Sequence, residues 1–356
     1  MSEQRRVTTI DSLTRRRDLI AVNDEPRPLV DAFRRAITYL RLSVTDRCDL
    51  RCSYCMPERM TFLPKREVLS LEELYELACG FIERGVTKIR ITGGEPLVRR
   101  DIMHLFEMLG RRLGHGLDEL TLTTNGTQLA RHAEALAKAG VRRVNVSLDT
   151  LDRARFEALT RRDALPQVLE GIAAAREAGL RVKLNAVALK GMNEEELPDL
   201  IAWAHGEGHD VTLIEVMPLG DVEAERLDQY LPLSEVRARL EQRWTLTDTS
   251  HATGGPARYV EIAETRGRLG FIAPHTGNFC AGCNRLRVTA TGQLYPCLGG
   301  AERVDLRAAL RSERPEEELA AALGRAMAIK PERHRFRMDE RGAGPQLGRH
   351  MSITGG

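Results

Sequence analysis

From Tyr39 to Val216, short β-branched or apolar segments alternate with stretches of helical periodicity, and this alternation restricts the chain to a small set of folds. Strands are expected at Tyr39 to Val44, Lys88 to Thr92, Glu119 to Thr123, Arg143 to Leu148, Val182 to Ala188 and Val211 to Val216. Strands separated by helices argue for a parallel sheet. Helices are expected from Leu71 to Arg84, with Ser70 as start and Gly85 as stop, from Ala130 to Gly140, and from Gln167 to Gly179. Six such units are too few for a closed eightfold barrel, so the expected fold class is α/β, an incomplete (β/α)6 TIM-type barrel.

Beyond Pro218 the rhythm changes. A helix is expected at Leu233 to Gln242, followed by hairpin-like segments at Arg258 to Ile262 and Leu269 to Ala273. Thr291-Gly292 is expected to turn the chain between Leu286 to Ala290 and Gln293 to Pro296. Four regions result: a polar, flexible leader over 1–35, the barrel over 36–218, a C-terminal α+β extension over 219–340, and a mobile Gly/Pro-rich tail over 341–356. No fixed-period repeat suggests a solenoid.

Composition excludes some functions. Hydrophobic residues at 42% and charged residues at 29% are ordinary for a soluble folded protein, and a net charge of +2 gives no field that would favour nucleic acid. No apolar run resembles a secretory signal or spans a bilayer, which makes the cytoplasm the expected location and reduced thiols the expected state. Clustered cysteines in that setting point to metal ligands or catalytic groups rather than disulfides.

Six of the seven cysteines form two groups of three: Cys48, Cys52 and Cys55, then Cys280, Cys283 and Cys297. The seventh, Cys79, lies in the apolar stretch Leu74 to Ile82 and is expected to be a buried structural thiol. Zinc is the plain alternative for each group, although a structural zinc site takes a fourth protein ligand and none is adjacent. The nine histidines show no metal-ligand spacing and are assigned to surface or packing. No P-loop motif is present.

The spacing of Cys48, Cys52 and Cys55, with the aromatic Tyr54 just before the last, resembles the radical S-adenosylmethionine superfamily, and Thr92-Gly93-Gly94-Glu95-Pro96 at a strand end is similar to its glycine motif. With Thr123-Thr124-Asn125-Gly126 and Cys280-Ala281-Gly282-Cys283-Asn284-Arg285-Leu286-Arg287, the chain from about Thr38 resembles the GTP 3',8-cyclase family of molybdenum cofactor biosynthesis. That resemblance implies a 4Fe-4S cluster on each cysteine group. The first would bind S-adenosylmethionine, with Tyr54, Gly94, Ser147 and Met217 around it, and generate a 5'-deoxyadenosyl radical. The second would contact the guanine of GTP, with Arg41, Arg90, Thr123, Lys183, Arg285, Leu286 and Arg287 as further substrate contacts. The implied reaction is a carbon-carbon bond-forming lyase step from GTP to (8S)-3',8-cyclo-7,8-dihydro-GTP, and a terminal Gly355-Gly356 entering the active site would assist radical initiation.

A homodimer, a reducing electron donor and a downstream cyclic pyranopterin monophosphate synthase are the implied partners, with no nucleic acid and no membrane. Two other classes remain open at this point: a peptide-modifying radical enzyme with an auxiliary cluster, and a zinc-binding interaction module. The first is disfavoured by the lack of a larger cysteine-rich C-terminal region, and the second by the βα series and near-neutral charge.

Overall fold

The β-branched segments do form strands: β1 Tyr39–Ser43, β2 Lys88–Thr92, β3 Glu119–Thr124, β4 Arg143–Ser147, β5 Arg181–Ala188 and β6 Asp210–Glu215. Helices α1 Leu71–Ile82, α2 Ile102–Gly110, α3 Leu129–Lys138, α4 Arg153–Thr160, α5 Leu165–Glu177 and α6 Leu197–Gly206 connect them. The structure, a computed structural model, describes residues 28–222, 226–277, 279–336 and 346–355. Helix α1 starts where its sequence predicts, because the Ser70 hydroxyl accepts from the Glu73 amide at 3.1 Å and the Glu73 carboxylate accepts from the Ser70 amide at 2.8 Å. It stops at Ile82, two residues before the expected Arg84, and Gly85 takes the left-handed turn at φ 89°.

The C-terminal half adds α7 Arg226–Gln229, α8 Leu233–Glu241, β7 Leu246–Thr249, β8 Arg258–Ile262, β9 Gly267–Ile272, β10 Arg285–Val288, β11 Gln293–Tyr295 and β12 Val304–Asp305. Helices α9 Leu306–Leu310, α10 Pro315–Ala328 and α11 Met351–Thr354 follow. All twelve strands lie in one open sheet, in the order β12-β11-β10-β1-β2-β3-β4-β5-β6-β9-β8-β7. Strands β1 to β6 are parallel neighbours in chain order. Two later strands extend the parallel run, β10 beside β1 and β9 beside β6. The C-terminal region therefore does not stand apart from the βα units as an extension; it supplies both flanks of their sheet.

Alternation along the strands sorts side chains by chemistry. Leu40, Leu42, Ile89, Ile91, Leu122 and Val144 enter the apolar core on the helix side. The intervening Arg41, Arg90, Thr123, Asn145, Lys183 and Asn185 line a cavity on the other side. Buried polar groups on this cavity face are stable only where they find partners.

Two expected terminal segments are corrected. Residues 28–35 were assigned to a flexible leader, yet Leu29 is buried in the core, its amide bonds the Arg84 carbonyl at 3.2 Å, and Val30 bridges to Ala36; residues 1–27 lie outside the described residues. The tail was expected to be mobile, yet Leu347 bridges to Leu219 and Ser352 and Thr354 are buried. Small side chains allow that segment to fit against the sheet. Residues 341–345 and Gly356 lie outside the described residues. Cys79 is buried and unbridged, as expected. No described helix is long and apolar enough to cross a membrane.

Candidate functional site

The polar face of the sheet walls a cavity of about 280 Å³, and all six clustered cysteines line it. Strand register places the two groups at opposite ends. Cys48, Cys52 and Cys55 follow the carboxyl end of β1, whereas Cys280 and Cys283 precede β10, which is parallel to β1. Strand β11 runs back antiparallel and returns Cys297 to the same end, as the expected Thr291-Gly292 turn requires. Only the first group therefore sits beyond the carboxyl ends of the parallel strands, the usual place for ligands in such folds. From the Tyr39 row to the Ser43 row is about 13 Å at roughly 3.3 Å per residue.

Between the two groups, cations stack in register. Arg41 on β1 pairs with Arg287 on β10 and with Arg90 on β2. In the adjacent row, Tyr39 pairs with Arg285 and Lys88. Burial alone would raise the Tyr39 phenol, but Arg90, Arg41 and Lys88 outweigh it and bring it down to about 7. Burial pushes the Lys183 ammonium well below its usual range, Arg90 and Arg143 add to that shift, and it donates to the Tyr259 hydroxyl. Thr123 stands 3.5 Å from Arg90. Carboxylates meet this field at its edge: Glu119 is held by Lys88 at 2.6 Å and Arg143 at 2.5 Å, and Asp210 acts on Lys183. Arg90 Nε, Asn145 Oδ1 and Asn185 Oδ1 are buried without a hydrogen-bond partner among the described residues. A buried field of this sign with unused donors and acceptors suits a polyanionic ligand with polar heteroatoms.

The first cysteine loop is fixed from three sides. Backbone bonds run from Gly94 to the Thr45 carbonyl and from Glu95 to the Arg47 carbonyl, both at 2.8 Å. A Cβ on Gly93 would stand 2.5 Å from the Thr45 carbonyl oxygen, and one on Gly94 would stand 2.3 Å from that of Arg47. These glycines let the cysteine loop approach the strand end closely. The fully buried Glu95 carboxylate accepts from the Leu97 and Asn125 amides at 2.9 and 2.6 Å and from the Thr124 hydroxyl at 2.8 Å. Burial outweighs those bonds and pushes Glu95 up to about 8. The Asn125 side chain donates to Asp49 at 2.7 Å and lies 3.7 Å from the Cys48 sulfur. Tyr54 donates to Asp149 at 2.6 Å, and Asp149 also accepts from the Val187 amide at 2.8 Å.

Among the described residues no three His, Cys, Asp or Glu side chains stand as ligands of a single metal ion. The donor set does suit a larger thiolate-bound group. Each end offers three soft sulfurs, and Asp49, the carboxylate adjoining Cys48, is already committed to Asn125, Thr127 and Gln128. The two ends differ in charge. Burial pushes Cys48 and Cys52 up, with Glu95 adding to the shift at Cys48. Burial would also raise Cys283, but Arg285 and Lys330 overcome it and bring the thiol down to about 7.

Tyr54, Gly94, Ser147 and Met217 share this cavity with Arg41, Arg90, Thr123, Lys183, Arg285 and Arg287. Leu286 does not join them: strand alternation turns its side chain into the core, where it is fully buried. Gly355 lies against Thr92, and its carbonyl accepts from Arg287. Gly356 is outside the described residues. Sequence reasoning missed Tyr39, Glu95, Asn125 and Asp149 as parts of the site. Two of these stand inside the TGGEP and TTNG motifs, which was the available signal. It also assigned every histidine to surface or packing, yet His334 lines the cavity beside Phe279 and Phe336, with ring centroids 6.0 and 5.0 Å away and a buried, unpartnered Nε2.

Residues 42–204 match the profile of the radical SAM superfamily, and residues 209–336 that of Molybdenum Cofactor Synthesis C. The chain is 71% identical to the GTP 3',8-cyclase of Erythrobacter litoralis (strain HTCC2594), over 92% of this chain and 98% of that protein. It is 59% identical to the GTP 3',8-cyclase of Rhizobium etli (strain CIAT 652), over 92% and 94%. Streptococcus suis SuiB, solved bound to S-adenosylmethionine, shares the fold with a TM-score of 0.57 at 16% identity, over 86% of this chain and 77% of SuiB.

Proposed function

The chain belongs to the GTP 3',8-cyclase family of the radical SAM superfamily, and from that premise we propose that it converts GTP to (8S)-3',8-cyclo-7,8-dihydro-GTP in the cavity between its two cysteine groups. It is a radical SAM enzyme of molybdenum cofactor biosynthesis. The observation that carries the substrate reading is the buried row of Arg287, Arg41 and Arg90 set between the two sets of thiols. When bound, a 4Fe-4S cluster on Cys48, Cys52 and Cys55 together with S-adenosylmethionine supplies the one-electron chemistry that removes hydrogen from C3' of the ribose.

The protein's own contribution is binding and orientation. Arg41, Arg90 and Arg287 present planar donor forks to phosphate oxygens, and Lys183 adds a point charge. Cys280, Cys283 and Cys297 would hold a second 4Fe-4S cluster, and the neighbouring Phe279 and His334 rings would flank the guanine. Gripping GTP at both ends keeps C3' and C8 in reacting geometry, and enclosure on the inner face of the sheet excludes water. Asp149 fixes Tyr54, which with Gly94, Ser147 and Met217 would surround the S-adenosylmethionine. The docked tail, with Gly355 beside Arg287 and Thr92, would adjoin the triphosphate site. The reading extends to an incomplete six-unit barrel, lyase chemistry, a cytoplasmic homodimer, an external one-electron donor and a synthase that consumes the cyclic nucleotide.

The direct test is anaerobic turnover of iron-reconstituted protein with reductant, S-adenosylmethionine and GTP. We expect 5'-deoxyadenosine and the cyclised nucleotide in about equal amounts; deoxyadenosine with unchanged GTP would reject the cyclase assignment. A second expectation concerns pH. In the free protein the cations hold Tyr39 near 7. A bound triphosphate offsets those cations, so the phenol rises on binding and a proton is taken up above pH 7. GTP affinity should therefore be level below about pH 7 and fall by up to roughly tenfold per unit above it. Calorimetry of GTP binding across pH 6 to 9 checks this; the same slope in Tyr39→Phe would show that another group, such as the buried Lys183, takes up the proton.

A further inference from the structure

Lys330 is only 3% exposed, and no carboxylate pairs with it among the described residues. Its ammonium is instead spent at the second cysteine group. Nζ lies 3.6 Å from the Cys283 sulfur and donates to the carbonyls of Arg285 at 3.0 Å and Pro296 at 2.8 Å. Pro296 immediately precedes Cys297, and Arg285 begins the strand that follows Cys283. One side chain therefore joins the two separate loops that bring the third cysteine to the first pair. The backbone carrying it is also anchored: Arg35 donates to the carbonyls of Pro331 at 2.7 Å, Glu332 at 2.6 Å and Cys280 at 2.9 Å, while Asp31 holds Arg35 at 2.6 Å.

A buried ammonium without a carboxylate needs compensating negative charge. The sulfurs of Cys283 and Cys297 are the anions available when this group is deprotonated and ligated. The first group differs: the Cys48 sulfur meets the uncharged Asn125 amide, with Asp49 beside it and Glu95 behind, while the Arg51 guanidinium donates to the Cys48 and Leu50 carbonyls. We propose that Lys330 is the positioning and charge-compensating residue of the second group, holding the Cys283 and Cys297 loops together and raising the reduction potential of the cluster bound there. A reduced cluster carries one more negative charge than an oxidised one, so a contacting ammonium stabilises the reduced form; hydrogen bonds and charge at cluster sulfurs set potentials in this way. This rests on the reading that Cys280, Cys283 and Cys297 bind a 4Fe-4S cluster.

The test uses the full chain with Cys48→Ala, Cys52→Ala and Cys55→Ala together, so that only the second group can hold iron. Iron and sulfide are counted and the midpoint potential is followed by electron paramagnetic resonance. This background should keep about four irons per chain. Adding Lys330→Gln or Lys330→Met should move the midpoint to a more negative value, and Lys330→Arg should leave it near that of the background. Loss of iron in the two neutral variants but not in Lys330→Arg would also support the assignment. Full iron with an unmoved midpoint in both neutral variants would overturn it. Zinc or no metal in the background chain itself would instead sink the cluster reading, and this assignment with it.

Discussion

Cys52→Ala should reduce 5'-deoxyadenosine formation to the background of the unbound reactants, while the chain keeps its fold and about four of roughly eight irons. Selectivity is expected because the cysteine loop is held by groups other than its thiols. The Arg51 and Ser53 amides bond the Thr160 and Leu159 carbonyls at 2.9 Å, and the Cys52 carbonyl accepts from the Cys55 and Met56 amides at 2.9 and 3.1 Å. Alanine preserves all four bonds and removes one sulfur. The second group lies at the other end of the cationic rows and loses nothing. Anaerobic iron analysis with chromatography of the cleaved cofactor measures both halves, and deoxyadenosine at the unaltered rate would exclude this group as the site of cleavage.

Gly94→Ala should produce a comparable loss without touching a ligand. The new methyl would stand 2.3 Å from the Arg47 carbonyl oxygen and 2.7 Å from that of Asp46, and backbone atoms cannot rotate aside. Relief requires the 45–47 segment to move, breaking the bonds from Gly94 to Thr45 and from Glu95 to Arg47 and displacing the adjoining Cys48. Overpacking of this kind costs about 1–3 kcal/mol and each lost backbone bond about 1 kcal/mol more. Thermal unfolding should shift down by several degrees, iron should fall towards about four per chain, and cofactor cleavage should drop at least 10- to 100-fold, as for loss of support around a metal site. Gly324→Ala is the control. It sits within α10 with nothing within 4 Å of its Cβ, so it should stabilise the chain by about 0.5–1 kcal/mol and leave turnover alone. Full iron and normal cleavage in Gly94→Ala would show that the glycine motif does not support the cysteine loop.

Local patterns in the sequence placed much of the molecule. Strands β1 to β6 fall within one residue of their expected spans because β-branched runs and helical periodicity are local properties. The cysteine triples, TGGEP and TTNG were legible for the same reason. Leu286 was not, since membership of the Arg285-Leu286-Arg287 segment says nothing about which face each side chain takes until the strand is paired. Nor were Asp149 and Lys330, single residues whose partners lie 95 and 47 positions away at Tyr54 and Cys283.

Local residues already carry the chemistry available to this protein: two sets of three thiols, a glycine motif against the first, and a βα frame to hold them. How those parts face one another depends on long-range strand pairing. Pairing of β10 with β1 sets Tyr39 against Arg285 and Arg41 against Arg287, across 246 positions of chain. That register builds the cationic row, places the two thiol groups at opposite ends of one cavity, and turns Leu286 into the core. Hydrogen bonding between distant strands fixes it, and no local periodicity encodes that pairing.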